Sequence, residues 1–379
     1  MILNCERKDA ENGPDKILHS GAAMYLALAK ELSPENGYPR QVGAERKWET
    51  TVPRGWTSGF FPGILWQLYE YTGEPALAEQ AKRWTDGLRE QTTANTHDVG
   101  FMIFNSYGRG YRFGDIDAYK SVTLEAAAHL ASRFDPRVGA IRSWDWGSFQ
   151  YPVIIDNMMN LELLLWAAKN GGDPQYADIA RSHANTTIRD HIREDASTFH
   201  VVDYHPETGD VIWKGTHQGM SDSSFWARGQ AWGIYGFSVT YRETGEAVYL
   251  ETATKLADRF LEKLPPDGIP YWDFDPPQSQ DTPKDASAAA IAACGMLNLA
   301  NLIEDSEESE KYRSAAKQLI SHLSTPEYSA EAAGLPALLL HSTGNMPAGT
   351  EIDVPIIYGD YYYIEALRML MSDASGYNK

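Results

Sequence analysis

Three short stretches of this chain carry the same instruction: end an apolar helix on glycine, then open another helix beside an acid. They are Thr72-Gly73-Glu74, Gly171-Gly172-Asp173 and Thr244-Gly245-Glu246. Glycine takes up the left-handed conformation at a helix end, and an acid at the next start faces the positive end of the helix dipole. In each unit an alanine stands eight residues beyond the glycine that precedes the acid (Ala81, Ala180, Ala253), and a looser copy runs from Met296 through Glu304-Asp305 to Ala315-Ala316. A recurring helix-turn-helix unit restricts the chain to an open solenoid, a plain bundle or a closed ring of hairpins, and the ring fits best. Ile17, Met24, Tyr25, Leu28 and Leu32 share one face at helical spacing, and similar stripes follow, giving about a dozen helical segments. No linker interrupts them, so residues 1–379 are expected to form a single all-α domain.

The connections are unusual. Trp48 to Phe61, Ser143 to Pro152 and Tyr271 to Gln280 are rich in aromatic residues, Gly and Pro, and long connections in a compact domain tend to carry function. Thr198 to Lys214 alternates apolar and polar residues around Pro206-Glu207-Thr208-Gly209, which predicts a small β-hairpin set among the helices. Of 11 tryptophans, Trp48, Trp56, Trp144, Trp146, Trp213 and Trp272 fall in connections, where flat rings beside polar groups suit the faces of sugars.

The net charge of −19 excludes a nucleic-acid groove, which needs clustered Lys and Arg, and leaves any anionic ligand to a local pocket. No apolar run approaches the ~20 residues of a membrane span, so no membrane partner is expected. Cys5 and Cys294 form neither a disulfide framework nor a metal-ligand pattern. No Walker loop, His-Glu-x-x-His or Gly-x-Ser-x-Gly is present, and the spacing of Gly108, Gly110 and Gly114 misses that of a dinucleotide loop. Neither a metal nor an organic cofactor is called for. Met1 to Lys8 lacks the apolar core of a leader, which leaves a bacterial periplasmic location, with a leader already removed, and a cytoplasmic one both open.

Two aspartates carry the chemistry. Asp98 lies in His97-Asp98-Val99-Gly100-Phe101, and Asp156 opens an apolar helix among Ile154, Ile155, Met158 and Met159. Desolvation raises a carboxyl pKa and keeps it protonated as a general acid, whereas an aspartate capping a helix is held as the anion. Asp156 reads either way from its local pattern; a nearby Asp98 would favour the acid. Further on, His217 and Gln218 precede Arg228-Gly229-Gln230-Ala231-Trp232-Gly233-Ile234-Tyr235-Gly236. Arg228 suits a carboxylate through forked hydrogen bonds, or alternatively a structural pair with Asp222, and Trp226 and Trp232 offer stacking faces.

At these residues the chain resembles the unsaturated glucuronyl hydrolases of glycoside hydrolase family 88. The resemblance runs from Trp56-Thr57-Ser58-Gly59-Phe60 through the two aspartates and the Thr216 to Phe237 span to Gly359-Asp360-Tyr361-Tyr362-Tyr363. It implies an (α/α)6 barrel of six hairpins with the site at one end. It also implies removal of a terminal 4,5-unsaturated uronic acid from oligosaccharides left by polysaccharide lyases, of glycosaminoglycan type. In that reading Asp156 is the acid/base, Asp98 supports it, and Trp56, His97, Trp144, His200, His217, Gln218, Arg228 and Trp232 bind substrate, with Trp146 as the alternative to Trp144. Ser342, in His341-Ser342-Thr343-Gly344-Asn345, falls where a substrate-contacting loop is implied, its hydroxyl suited to a sulfate. The rhamnogalacturonyl type of family 105 and a sugar-binding protein without catalysis are the other readings; both aspartates speak against the second. The expected assembly is a monomer or weak homo-oligomer.

Overall fold

The inner wall of the fold is made of helices that are apolar on every side, which happens only where a helix is surrounded. In the computed structural model, which describes residues 13–275, 279 and 281–375, every residue from Ala286 to Ala300 is buried, as is every residue from Ala227 to Thr240. Cys5 and part of the Tyr271 to Gln280 connection lie outside the described residues.

The elements follow in order. α1 (Pro14–Glu31) leads to the ribbon β1 (Tyr38–Val42) and β2 (Trp48–Thr51), then α2 (Phe60–Thr72) and α3 (Pro75–Asp86). A π-helix (Gly100–Gly108) runs into α4 (Arg109–Gly114), followed by α5 (Ala118–Ser132) and the short strands β3 (Phe134–Asp135), β4 (Ala140–Ile141) and β5 (Pro152–Ile154). Next come α6 (Asn157–Lys169), α7 (Gln175–His191), β6 (Val201–Tyr204) and β7 (Val211–Gly215). The chain finishes with α8 (Ala227–Thr244), α9 (Ala247–Lys263), α10 (Ala286–Leu302), α11 (Ser306–Leu323) and α12 (Ile357–Ser375).

α2, the π-helix with α4, α6, α8, α10 and α12 touch one another in a closed inner ring, and the helix that follows each packs outside it. α12 has no successor; α1 takes the outer place and the two ends of the chain close the circle. Asp360 fastens that closure, accepting hydrogen bonds from Tyr25 Oη on α1 at 2.5 Å and from the amides of Leu338 and Leu339. The fold is therefore the expected (α/α)6 barrel. The repeated unit works as read: Gly73, Gly171 and Gly245 all have positive φ, and Ala81, Ala180 and Ala253 are fully buried where outer helix meets inner.

The expected hairpin at 198–214 forms as β6 and β7, but it is not alone: β5 pairs antiparallel with β6, giving a three-stranded sheet in the order β5-β6-β7. Pro152-Val153-Ile154 is too short for alternation to mark it as a strand. None of the described helices is long and apolar enough to cross a membrane.

The glycines of the α8 stretch have a packing reason. Gly229, Gly233 and Gly236 lie along one face, and added Cβ atoms would meet Trp226, Leu256 and, at 2.4 Å, Cβ of Met158. Gly236 also faces Met158 backbone, which has no freedom to move aside, so α8 lies against the start of α6 only because these side chains are missing. Gly236→Ala should lower stability by about 1–3 kcal/mol through overpacking, seen as a lower denaturant midpoint; an unchanged midpoint would show that α6 yields at this contact.

Candidate active site

The sheet delivers the site. Ile154 of β5 pairs with Val201 of β6, which pairs with Gly215 of β7, so the residues beside this row are brought together: Asp156, His200 and Thr216-His217-Gln218. The Ile155 amide donates to the His200 carbonyl at 3.0 Å, holding the entry to α6 against the strand.

Asp156 occupies the N-cap position of α6 but its backbone is already helical and its side chain makes no capping bond. It is buried, and its Oδ2 has no protein partner. Burial pushes its carboxyl up to about 6; His97 and Arg228 oppose this, and the negative charge of Asp98 adds to it. A bond from its own backbone is the smallest of these influences, so the helix start does not hold this group as an anion.

His200 Nε2 lies 3.5 Å from Asp156 Oδ2. The amides of His217 and Gln218 both donate to His200 Nδ1, at 3.1 and 3.2 Å, so Nδ1 is an acceptor and the proton sits on Nε2, toward the aspartate. Burial, then the neighbouring His217 and Arg228, hold this imidazole well below its ordinary pKa, so it is neutral, and its ring lies against Trp226. Asp98 accepts from Thr96 Oγ1 at 2.9 Å and faces His97 Nε2 at 3.0 Å.

Other expected residues gather around this pair. Asp156 Oδ2, His200 Nε2, His97 Nδ1, Trp144 Nε1 and Trp232 Nε1 are all buried polar atoms without a protein partner. Buried polar groups are nearly always satisfied, so the facing pair Asp156 Oδ2 and His200 Nε2, 3.5 Å apart, marks where a polar ligand can complete the set. Trp56 packs on Phe60, Phe101 and Tyr358, and Trp232, itself fully buried, on Phe101 and Tyr362, forming the aromatic wall beneath. Trp144 and Trp146 do not exchange places: their rings stack at 4.8 Å with 14° between planes, Trp144 inside and Trp146 outside.

Three expectations are corrected. Arg228 does not pair with Asp222, whose Oδ1 instead accepts from the Thr216 amide. Its fork is also largely engaged within the protein: Nη1 bonds Asp285 Oδ2 at 2.7 Å and the Thr343 carbonyl, and Nη2 the Gly344 carbonyl, with the guanidinium over Trp226 and Tyr358. Gln218 Nε2 joins it on Gly344 O at 3.0 Å. Both residues thus latch the 343–344 segment to the barrel. The hydroxyls read as sulfate contacts are turned inward: Ser342 is fully buried with its Oγ near Gly359, and Thr343 donates to the Lys284 carbonyl.

Sequence reasoning missed Asp285 and Tyr358. Asp285 is fully buried at the N-cap of α10, where it also holds Ser287, and its only sequence signal is the Asp-x-Ser cap itself. Tyr358 carries no local signal; only the closing of α12 against α8 sets it over Arg228.

An (α/α)6 barrel with an aromatic-walled, carboxyl-bearing site at one end defines a carbohydrate-processing enzyme. The model of Glycosyl Hydrolase Family 88 matches residues 30–366. The chain is 43% identical over 371 residues to an unsaturated glucuronyl hydrolase of Formosa agariphila, covering 96% of this chain and 92% of the relative. It is 35% identical to an unsaturated chondroitin disaccharide hydrolase of Streptococcus pneumoniae, covering 84% and 82%. It superposes with a TM-score of 0.90 and 41% identity on the crystal structure of an unsaturated glucuronyl hydrolase specific for heparin, covering 97% and 99%. The chain belongs to glycoside hydrolase family 88 and is a glycosidase.

The raised carboxyl has a cost in stability. The unfolded chain loses this proton near pH 3.8 and the native state near 6, so native stability falls as pH rises through that window and stays lower above it. Asp156→Asn should therefore be more stable than the parent at pH 7.5 by roughly 1–3 kcal/mol, the gain vanishing below pH 4 in chemical denaturation. A gain independent of pH would point to packing instead.

Proposed function

We propose that this chain removes the terminal 4,5-unsaturated uronic acid from lyase-generated glycosaminoglycan oligosaccharides, with Asp156 as the proton donor and acceptor. The observation that carries the reading is a buried carboxyl held near pKa 6 whose Oδ2 lies 3.5 Å from Nε2 of the neutral, buried His200. The names of the relatives and of the superposed structure support the same substrate class.

A C4=C5 double bond next to the ring oxygen is an enol ether, nucleophilic at C4. Asp156 gives its proton to C4, leaving positive charge shared by C5 and the ring oxygen, beside the carboxylate just formed. That carboxylate then takes a proton from water as the water oxygen bonds to C5, and the aspartate is restored. The product is a hemiketal at C5. As it opens, the C5 hydroxyl becomes a ketone and the ring oxygen leaves C5. C1 then carries a free hydroxyl and the neighbouring sugar, a hemiacetal that collapses to an aldehyde and releases that sugar. No group attacks the anomeric carbon, so one shuttling carboxyl replaces the pair used by ordinary glycosidases.

The surrounding residues serve that carboxyl. Neutral His200 presents an Nε2–H beside Oδ2 without neutralising the acid, as a cation would. Asp98 raises the Asp156 pKa by its charge and is placed to hold sugar hydroxyls together with His97. Arg228 lends positive potential toward a uronate while its terminal nitrogens brace the loop. Trp56, Trp144 and Trp232 shape the wall, and His217 and Gln218 stand at the mouth.

Hydration destroys the ultraviolet absorbance of the unsaturated uronate. Asp156→Asn should abolish that loss in chondroitin or heparin disaccharides while still binding them; turnover near the parent rate would remove the assigned donor. Because the free enzyme must carry a proton on Asp156, kcat/KM should fall as pH rises through about 6. Asp98→Asn takes away a charge that raises this pKa, so its residual activity should decline at lower pH than the parent's. A shift to higher pH would contradict the role given to Asp98.

A further inference from the structure

The mouth of the site continues outward into a feature the mechanism does not use. Exposure grows stepwise away from the acid: His200 is 3% exposed, its ring lies 6.4 Å from that of His217, which is exposed, and beyond it Trp146 is 56% exposed, its ring 5.6 Å from His217. An indole so open to water forfeits the burial that usually justifies tryptophan.

The ring is nevertheless held in place. One face rests on Trp144, nearly parallel to it. The intervening Asp145 is clamped by Arg133 and Arg142, each at 3.0 Å, and the turn is completed by Gly147 at φ +81°. Its position is thus fixed before any ligand arrives, and one flat face remains uncovered. A rigid exposed aromatic face in line with a buried acid suits the C–H face of a sugar ring, which needs apolar contact on one side and water on the other.

From these observations we infer that Trp146 forms a distal sugar-binding platform, which takes the residue beyond the one released. This rests on the proposed function, which places the unsaturated ring at Asp156 and His217 at the mouth, the side on which the rest of the oligosaccharide leaves. The ligand class is a neutral or anionic pyranose within an unsaturated tri- or tetrasaccharide. The molecule would on this account favour longer lyase products. Binding energy collected at the platform acts equally on the bound substrate and the transition state, so it appears in KM and not in kcat.

The test compares an unsaturated tetrasaccharide with the disaccharide of the same polymer, both followed by ultraviolet absorbance. In Trp146→Ala the ratio of kcat/KM for tetrasaccharide over disaccharide should fall about threefold to tenfold, through KM, and Trp146→Tyr should restore most of it. Equal losses on both substrates would overturn the platform, because Trp146 would then serve only to support Trp144. An unchanged ratio would overturn it as well. Calorimetric binding of the tetrasaccharide to Asp156→Asn, with and without Trp146→Ala, reads the same contact without turnover. If the parent enzyme hydrolysed neither substrate, the functional reading would fail, while this binding comparison would still decide the platform.

Discussion

A carboxyl group in water gives up its proton well below neutral pH, and everything around Asp156 works against that outcome. Packing keeps it buried, and its side chain makes no capping bond at the start of α6. The His200 ring beside it is kept neutral chiefly by burial, while its Nδ1 accepts from two backbone amides. His97 and Arg228 temper the effect of burial while Asp98 adds to it, and the pKa lies near 6. A group so placed can both give and take a proton near neutral pH.

The second device is the pairing of Arg228 with Asp285, both essentially without exposure. Taking two charges out of water is expensive, and such a pair is tolerated when hydrogen bonds satisfy the rest of each ion. Here the carbonyls of Thr343 and Gly344 take two further arginine protons, and Ser287 serves the aspartate. The consequence is mechanical: α8, α10 and the loop that follows α11 are joined at one point beside the acid. Arg40 secures the same loop at its far end through both oxygens of Glu351. The loop is held at both ends, with Ser342 and Thr343 turned inward.

How much of this was legible depended on whether the cause was local. The turn glycines and their buried alanines were readable because a left-handed residue and a close helix contact each demand one residue type. The second hairpin was not recognised by that rule, since its inner helix begins as a π-helix and its turn uses Asp115 at positive φ in place of glycine. The sixth was invisible for another reason: its halves, α1 and α12, lie at opposite ends of the chain. The glycines of α8 were noticed as a pattern, but their purpose, admitting Met158, is a property of two helices together.

The sequence by itself determined that the chain is built of repeated helical hairpins, and it singled out Asp98, Asp156 and the aromatic connections. Periodicity, turn chemistry and an apolar context are written in neighbouring residues, and they survive without a third dimension. Only the tertiary structure decided whether Asp156 caps its helix or keeps its proton, whether Arg228 meets a ligand or Asp285, and which of two tryptophans faces inward. Those outcomes depend on which distant groups arrive at the same place, and desolvation and charge act through space, not along the chain.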